Sequence, residues 1–357
     1  MGGDSRDMRL LVLGGTEFVG MAVVEAGLAR GFDVTVFHRG RHPAPPEVAA
    51  LHGDRTAPGG LAALAEAGGE WDVVVDTWSW APAAVRDAAR LLEPRAGHYV
   101  YVSSRSVYTF PVPPGATGLA EDAPVVDGSP DDAEDGGLAA YNRMKRGGEL
   151  AALAAFGPGR TLLPRPGLVL GPGENIGRLP WWLTRIARGG RVLAPGPADL
   201  PFGYLDVRDL AGWLLDAAVA GVAGPFDLQS PPGHATTASV LSACVAATGS
   251  DAELVWTDPE PILAAGVRPW TQLPGWFAPG EYHAAFHLAD VSRALAAGLR
   301  PRPVLDTVAD TWTWLQKIGG RAPHRPDRPP VGLDPAVETA ILDATQGRGA
   351  SGARDPR

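Results

Sequence analysis

The first hundred residues repeat one pattern, in which a short apolar run is followed by an Ala-rich helical stretch and then by another apolar run. The runs MRLLVLGG, FDVTVFHR, WDVVVDTW and HYVYVSS are almost wholly apolar, as expected of strands that are covered on both faces. Strands that alternate with helices in this way favour parallel pairing. We therefore predict an α/β fold with a doubly wound parallel sheet and a smaller C-terminal substrate domain.

The loop after the first run reads LVLGGTEFVG and joins that strand to a helix. Gly14, Gly15 and Gly20 suit a tight turn and a close helix packing, and backbone N–H groups at such a helix N-terminus bind pyrophosphate. Glu17 takes the place of the usual middle glycine. Its carboxylate repels phosphates unless it turns away or meets an arginine. We predict that the loop still binds a dinucleotide, as in a Rossmann-type domain.

Composition divides the chain into three parts. We predict a dinucleotide-binding Rossmann domain over residues 8–178, with a mobile loop over 110–138 that is rich in Pro, Gly and Asp. Residues 179–317 carry loops rich in Trp, Pro and Gly. They are predicted to form mainly the substrate-binding part, with some segments that return to the Rossmann sheet. Residues 318–357 are predicted to be a largely disordered tail, with a short helix over DPAVETAILDAT.

The second strand ends in FDVTVFHRGRH, where a NAD-preferring fold usually has an Asp or Glu that accepts the ribose hydroxyls. That place holds His38 and Arg39, with Arg41 just beyond. Two guanidiniums without a carboxylate suit a 2′-phosphate, so NADP(H) is favoured and NAD(H) is left open. Asp54, with Arg55 beside it, follows at a distance suited to contact with the adenine.

A phenol and an ammonium occur together in YNRMK, where Tyr141 and Lys145 are four residues apart and share one face of a helix. A nearby Lys⁺ stabilises phenolate and lowers the tyrosine pKa toward the range of an acid/base catalyst. This short pattern gains weight from its order, because it follows the glycine loop and a strand that ends at Ser103 and Ser104.

With GGTEFVG, GDR, VSSRSVY, YNRMK, RPGLVLGP and GYLDVRDLA, residues 8 to 317 resemble an extended short-chain dehydrogenase/reductase of the NAD-dependent epimerase/dehydratase family. The chain is most similar to a bacterial branch that also resembles chloroplast stem-loop RNA-binding proteins. The resemblance implies that Ser104 holds the substrate oxygen, that Tyr141 donates or accepts the proton, and that Lys145 binds the nicotinamide ribose. It also implies that the backbone at Pro166 and Gly167 meets the nicotinamide amide.

The predicted sites are therefore extensive. The catalytic residues are Ser104, Tyr141 and Lys145, and no metal ligands are expected. The predicted cofactor-binding residues are Gly14, Gly15, Thr16, Glu17, Phe18, Val19, Gly20, His38, Arg39, Arg41, Asp54, Arg55, Thr77, Trp78, Ser103, Pro166, Gly167 and Leu168. Tryptophan-bearing loops favour a flat, largely apolar ligand, and the predicted substrate residues are Trp80, Arg105, Trp181, Trp182 and Trp276.

Departures from the family pattern bear on the reaction. Arg105 and Ser106 stand where the family's dehydratases carry an acidic pair, and Leu168 stands where its epimerases usually have Asn. These changes favour an NADPH-dependent reductase that acts on a carbonyl of a small or medium, largely apolar substrate. A sugar or sugar-nucleotide epimerase is one alternative. An RNA-binding or cofactor-sensing protein on the same fold is another.

The net charge and the composition bear on which classes of partner the protein could bind. The net charge of −9 and the absence of a Lys/Arg run argue against nucleic acid, and no apolar run is long enough to span a membrane. The single cysteine, Cys244, is predicted to be a buried core residue, and the scattered histidines indicate no metal site. A cytoplasmic protein with a small-molecule substrate is expected. A homodimer is the family's habit and is left open.

Overall fold

The structure, a computed structural model, describes residues 8–110 and 119–351. Its strands are β1 (Arg9–Leu13), β2 (Asp33–His38), β3 (Ala49–His52), β4 (Trp71–Asp76), β5 (Ala96–Tyr101), β6 (Thr161–Pro166), β7 (Val169–Leu170), β8 (Arg191–Pro195), β9 (Leu205–Asp206), β10 (Gly224–Leu228), β11 (Glu253–Thr257), β12 (Pro269–Trp270) and β13 (Leu273–Pro274). Its α-helices are α1 (Phe18–Ala29), α2 (Ala62–Glu66), α3 (Pro82–Leu92), α4 (Tyr141–Phe156), α5 (Arg178–Ala187), α6 (Val207–Val219), α7 (Thr237–Thr248), α8 (Pro259–Ala264), α9 (Glu281–His287), α10 (Ser292–Ala296), α11 (Val304–Lys317) and α12 (Pro335–Ser351).

Seven parallel strands form the central sheet, in the spatial order β10-β6-β5-β4-β1-β2-β3. The order reverses between β1 and β4, since the chain first builds outward from β1 to β3 and then returns to build in the other direction. In such a sheet the crevice beyond the carboxyl ends of the strands at the reversal is the usual ligand site. The predicted Rossmann-type α/β fold is confirmed.

Side chains alternate between the two faces of the sheet, and both faces are covered by helices. Leu10 and Val12 of β1 lie in one apolar cluster with residues of α1 and α6. Leu11 and Leu13 lie in another, with residues of α3 and α4. This alternation explains why the strand reads as a continuous apolar run, because a strand buried on both faces has no solvent-facing positions.

A second hydrophobic core lies in the C-terminal half and joins α5, α7, α11 and α12 with β8. Cys244 is fully buried in this core, as predicted. The strand β10 and the helix α6 instead belong to the first part, where β10 pairs with β6 and extends the sheet. Residues 179–317 therefore contribute elements both to the apolar cluster that β1 shares with α1 and α6 and to the core in the C-terminal half.

The segments predicted as a mobile loop and a disordered tail make contacts with the rest of the fold. In the loop predicted over 110–138, residues 111–118 lie outside the described residues. Beyond them, Val126 N donates to Val107 O (2.8 Å) and Ala83 N donates to Asp132 O (3.0 Å), so the described part is tied to the domain. In the tail, α12 packs on the second core through Ile341 and Leu342, which are 4% and 5% exposed. Both residues lie in DPAVETAILDAT, the stretch predicted to form a short helix, and α12 extends from Pro335 to Ser351.

No helix within residues 8–110 and 119–351 is both long enough and apolar enough to cross a membrane. Over the same residues, no group of three or more His, Cys, Asp or Glu side chains is arranged to hold a metal ion.

Candidate active site

A cleft of about 450 Å³ lies at the carboxyl edge of the sheet, beside the reversal in strand order. It runs from the end of β2, past the loop after β1, to the start of α4. Its volume falls within the range of small-molecule and cofactor sites. The predicted residues that line it are Gly14, Thr16, Glu17, Phe18, Val19, Gly20, His38, Arg39, Arg41, Arg55, Thr77, Trp78, Trp80, Ser103, Ser104, Arg105, Tyr141, Lys145, Pro166 and Gly167.

The glycine loop brings helix α1 very close to the end of β1. A Cβ on Gly20 would lie 2.2 Å from the carbonyl oxygen of Gly14, and Gly14 itself has a φ of +99°. A side chain at either position would push the helix away from the loop or strain the backbone. Gly15 does not line the cleft, because it is buried against Val24 and Val36. The loop therefore exposes the N-terminal N–H groups of α1 to the cleft at short range.

The carboxylate of Glu17, the residue that replaces the middle glycine, has partners of its own. Its Oε1 accepts a hydrogen bond from Asn175 Nδ2 (3.1 Å), and His42 Nε2 lies 3.7 Å from the same oxygen. Asn175 belongs to the segment between β7 and α5 and also lines the cleft. Glu17 thus meets an amide and an imidazole rather than an arginine, and it links the glycine loop to the segment between β7 and α5.

At the β2 end of the cleft, Arg39 and Arg41 are exposed, and neither guanidinium has a hydrogen bond or ion pair among the described residues. His38 beside them is buried and stacks on His52, with ring centroids 4.6 Å apart. Burial, together with the neighbouring histidines, lowers the pKa of His38, which keeps its imidazole neutral at pH 7. Arg39 and Arg41 supply positive charge at this end. Hydrogen bonds with Thr56 lower the pKa of the nearby Asp54, and the charges of the two arginines help to lower it.

The predicted adenine contacts, Asp54 and Arg55, face other partners. Asp54 Oδ1 accepts hydrogen bonds from the backbone and hydroxyl of Thr56 (3.0 and 2.7 Å), and Asp54 does not line the cleft. Arg55 touches the cleft, but its Nη1 and Nη2 donate to Asp76 (2.9 and 2.6 Å) in a pair that is almost fully buried. Burial tends to raise the pKa of Asp76, yet the charge and hydrogen bonds of Arg55 hold it below its ordinary value.

The three predicted catalytic residues lie along the wall opposite the glycine loop. Tyr141 is the first residue of α4, and Lys145 lies one turn further along. Lys145 Nζ donates to the carbonyl oxygens of Trp78 (2.7 Å) and Val102 (2.6 Å), which fixes the ammonium at the ends of β4 and β5. Burial lowers the pKa of Lys145 to about 7. Ser104 caps the 3-10 turn Arg105–Val107, accepting a hydrogen bond from Ser106 N (3.1 Å).

Beneath this wall, the predicted substrate residue Arg105 is held by a buried carboxylate. Its guanidinium forms an ion pair with Asp227 of β10 and donates to Ala285 O (3.1 Å). Asp227 also accepts a hydrogen bond from Tyr108 Oη (2.8 Å). Burial raises the pKa of Asp227 to about 6. These contacts join the Ser104 segment to the last strand of the sheet, so Arg105 fixes the position of the wall as well as lining it.

Besides Gly15 and Asp54, one more predicted cofactor residue and three predicted substrate residues do not line the cleft. Trp182 and Trp276 are buried in the second core, where their Nε1 atoms donate to Pro274 O (2.9 Å) and Gly196 O (3.3 Å). Trp181 packs on the same core and lies edge-on to Trp182. Leu168 is 3% exposed and belongs to that core too. Contacts within the second core therefore account for the positions of these side chains.

Several cleft residues were missed by the sequence analysis. We name residues 318–334, between α11 and α12, the C-terminal strap; it was assigned to the disordered tail. It runs over the Tyr141 end of the cleft. Only the clustering of arginine and proline in HRPDRPP sets it apart in the sequence. The missed residues that line the cleft include Asn175, Ile176, Arg178, Trp270, Phe286, Arg325 and Arg328.

The comparison with known proteins identifies the fold. The enzyme WbmH of Bordetella bronchiseptica in complex with NAD⁺ is 18% identical, with a TM-score of 0.62 over 87% of this chain and 99% of that one. The UDP-glucose 4-epimerase of Thermus thermophilus in complex with NAD is 20% identical, with a TM-score of 0.59 over the same shares. The chain shares their fold.

A third solved structure, the UDP-glucuronic acid 4-epimerase of Bacillus cereus in complex with NAD, is 14% identical, with a TM-score of 0.61 over 87% of this chain and 99% of that one. No protein-family model matches the chain, and no curated protein matches it in sequence. The family resemblance drawn from the motifs is therefore confirmed at the level of fold.

Proposed function

We propose that this protein is an NADP(H)-dependent oxidoreductase of the short-chain dehydrogenase/reductase type that reduces a carbonyl group of a small or medium organic substrate. One observation carries the proposal: Ser104, Tyr141 and Lys145 line the same cleft as the glycine loop and two unpaired arginines. A proton donor, a dinucleotide cradle and a cationic end in one cleft are the parts that such a reaction needs.

The cleft residues fit a nicotinamide dinucleotide. The close approach of Gly14 and Gly20 leaves the N-terminus of α1 open to a pyrophosphate. Glu17 is held by Asn175, so its carboxylate has a partner within the protein. Arg39 and Arg41 would hold a 2′-phosphate. When bound, the nicotinamide supplies the hydride of the reaction.

Side chains of the protein would supply the proton that the reaction needs. Tyr141 lines the cleft and presents the phenol that would give its proton to the carbonyl oxygen of the substrate. Lys145, fixed by two backbone carbonyls, lies one helical turn away and would stabilise the phenolate that remains. Ser104 would hold the substrate oxygen in line with the phenol. Trp80, Trp270 and Phe286 give the site an aromatic wall for the body of the substrate.

Cofactor preference gives the first prediction. We expect NADPH to bind more tightly than NADH by more than about tenfold, because one added charge-assisted hydrogen bond has an effect of this size. Replacing Arg39 by alanine should reduce this preference, and binding can be followed by tryptophan fluorescence. Arg90→Ala is the matched control, since Arg90 is an exposed arginine of α3 outside the cleft. Equal affinity of the unmodified protein for the two cofactors would contradict the prediction.

A sugar or sugar-nucleotide epimerase is the second candidate. Two observations favour it: the solved structures with this fold include two UDP-sugar epimerases, and arginines lie at the Tyr141 end of the cleft. An epimerase returns its hydride, so it consumes no cofactor overall.

The deciding experiment follows NADPH oxidation against a panel of aromatic and aliphatic carbonyls, with the transferable hydrogen of the cofactor replaced by deuterium. Deuterium in an alcohol product supports reduction. A parallel assay supplies NADP⁺ and a sugar nucleotide, and inversion of that substrate without net formation of NADPH would overturn the reductase proposal in favour of the epimerase.

A further inference from the structure

The C-terminal strap brings positive charge to the end of the cleft where the proposed substrate would lie. Its residue Arg328 lies over the rings of both Tyr141 and Trp80, with the guanidinium carbon 4.7 and 5.0 Å from the ring centroids. The strap is held firmly: Arg325 N donates to Asn175 O (3.1 Å) and Gly332 N donates to Thr271 O (2.8 Å). Arg328 is therefore part of the site wall.

The guanidinium of Arg328 has no hydrogen-bond acceptor among the described residues. Its Nε is buried without a partner, and the guanidinium carbon lies over both rings. Arg325, on the same strap, differs, since it forms a bidentate pair with Asp327 (2.9 and 2.6 Å). A donor group held in a ligand cleft without an acceptor is suited to a ligand that brings one.

A second cation lines the same cleft as Arg328. Arg178, at the start of α5, lines the cleft, and its guanidinium lies 5.8 Å from the ring centroid of Trp270. The carboxylate of Glu174 accepts hydrogen bonds from the backbone of Arg178 and Leu179 at the start of α5, and it forms no hydrogen bond with the guanidinium of Arg178 among the described residues. Burial lowers the pKa of Arg178; the charge of Glu174 opposes this effect, and the charge of Arg328 adds to it. The like charges of Arg178 and Arg328 repel each other, and an anion bound by both would offset that repulsion.

We propose that Arg328 and Arg178 form an anion subsite for a carboxylate or phosphoryl group carried by a flat organic substrate, whose body lies on the aromatic wall. This inference rests on the proposed function, because it takes the Tyr141 end of the cleft as the substrate site. It adds one anionic group to the flat, largely apolar substrate expected from the sequence. The strap sets specificity by closing the site with a charge, and Tyr141 keeps its role toward the carbonyl.

Calorimetry on the full chain, with and without NADPH, tests the subsite with three probes: benzoate, phenyl phosphate and uncharged benzyl alcohol. We expect at least one anion to bind about tenfold or more tightly than benzyl alcohol. Arg328→Gln should weaken that anion by about ten- to hundredfold, since it removes charge-assisted hydrogen bonds. Arg328→Lys keeps the positive charge but lacks the planar guanidinium. Its affinity for the anion should lie between the affinities of the unmodified protein and of Arg328→Gln. If benzoate binds more tightly than phenyl phosphate, the subsite takes a carboxylate. If phenyl phosphate binds more tightly, it takes a phosphoryl group.

Arg321→Gln is the matched control, because Arg321 is an exposed arginine of the same strap that does not line the cleft. It removes the same charge and should leave anion affinity nearly unchanged. Thermal unfolding of each variant checks that the strap still packs. The subsite is overturned if benzyl alcohol binds as tightly as the anions, or if Arg328→Gln and Arg321→Gln have equal effects in folded proteins.

A pair of matched aldehydes separates this inference from the proposed function. Reduction of para-carboxybenzaldehyde about tenfold or more efficiently than para-methylbenzaldehyde, with the difference lost in Arg328→Gln, supports both. Equal reduction of the two aldehydes overturns the subsite and leaves the reductase intact. Binding of an anion that depends on Arg328, in a protein that reduces no carbonyl, upholds the subsite and overturns the reductase. Tight binding of UDP that is lost in Arg328→Gln supports the subsite with an epimerase reaction.

Discussion

Replacing Tyr141 by phenylalanine is expected to lower turnover by about 10²–10⁴-fold, the usual effect of losing a general acid, while NADPH affinity changes little. The substitution removes only the hydroxyl. The ring remains at the start of α4, where it still packs edge-on against Trp80 at 5.9 Å between centroids and still lies beneath Arg328. Steady-state rates with a reducible carbonyl, and cofactor titration by tryptophan fluorescence, measure the two quantities separately.

Two further variants distinguish loss of the proton donor from other causes of low turnover. Lys145→Met should lower both turnover and cofactor affinity, because the same ammonium is proposed to serve the nicotinamide ribose and the phenol. Ser104→Ala should lower turnover less than Tyr141→Phe does, since a positioning contact is lost and the proton source remains. Near-normal turnover in Tyr141→Phe would remove the phenol from the mechanism and assign the proton to solvent or another group.

Replacing Asp76 by asparagine is expected to lower the free energy of unfolding by about 3–5 kcal/mol, because it leaves the buried guanidinium of Arg55 without its counter-charge. The side chains of this pair are 5% and 0% exposed, so water cannot replace the lost charge. The carboxylate also accepts hydrogen bonds from Tyr99 Oη (2.7 Å) and Trp78 N (2.9 Å). Urea unfolding followed by circular dichroism gives the free energy directly.

The exposed pair of Arg86 with Asp87 provides the control. Their side chains are 23% and 48% exposed, and Asp87→Asn should change stability by less than about 1 kcal/mol. Replacing both Arg55 and Asp76 by leucine should recover much of the loss, because no uncompensated charge then remains. If Asp76→Asn were no more destabilising than Asp87→Asn, the pair would not hold this part of the fold. Arg55 could then return to the role of cofactor ligand that its sequence position suggested.

The features that could be predicted from sequence are those set by local spacing. Gly14 and Gly20 are required because α1 starts only a few residues after β1 ends. The short loop between them brings the helix against the backbone of Gly14 and leaves no room for a side chain. Tyr141 and Lys145 share a wall because four residues make about one helical turn. The continuous apolar runs predicted a sheet covered on both faces, which is the arrangement that Leu10 and Leu11 show on opposite sides of β1.

Contacts between distant segments could not be predicted in this way. Arg55 resembled a cofactor ligand by position, and only the fold brings Asp76 to it. Trp182 and Trp276 resembled ligand-contacting residues because aromatic side chains suit both binding sites and cores, and packing decides between the two. Arg328 lay in a segment whose composition is typical of disorder. The order of that segment comes from α12 at its end, where Glu338 accepts hydrogen bonds from Arg185 Nε (2.7 Å) and Leu193 N (3.1 Å).

The position of the strap in the chain affects the order in which the protein becomes functional during synthesis. Every strand of the seven-stranded sheet precedes residue 229, whereas the strap and α12 follow residue 317. Since parts of a chain fold as they leave the ribosome, the sheet and its glycine loop can form while the wall that carries Arg328 is still being translated. If the proposed function holds, a chain that stops before the strap would have the glycine loop without the proposed anion subsite. The proposed cofactor and substrate parts of the cleft would then form at different stages of synthesis.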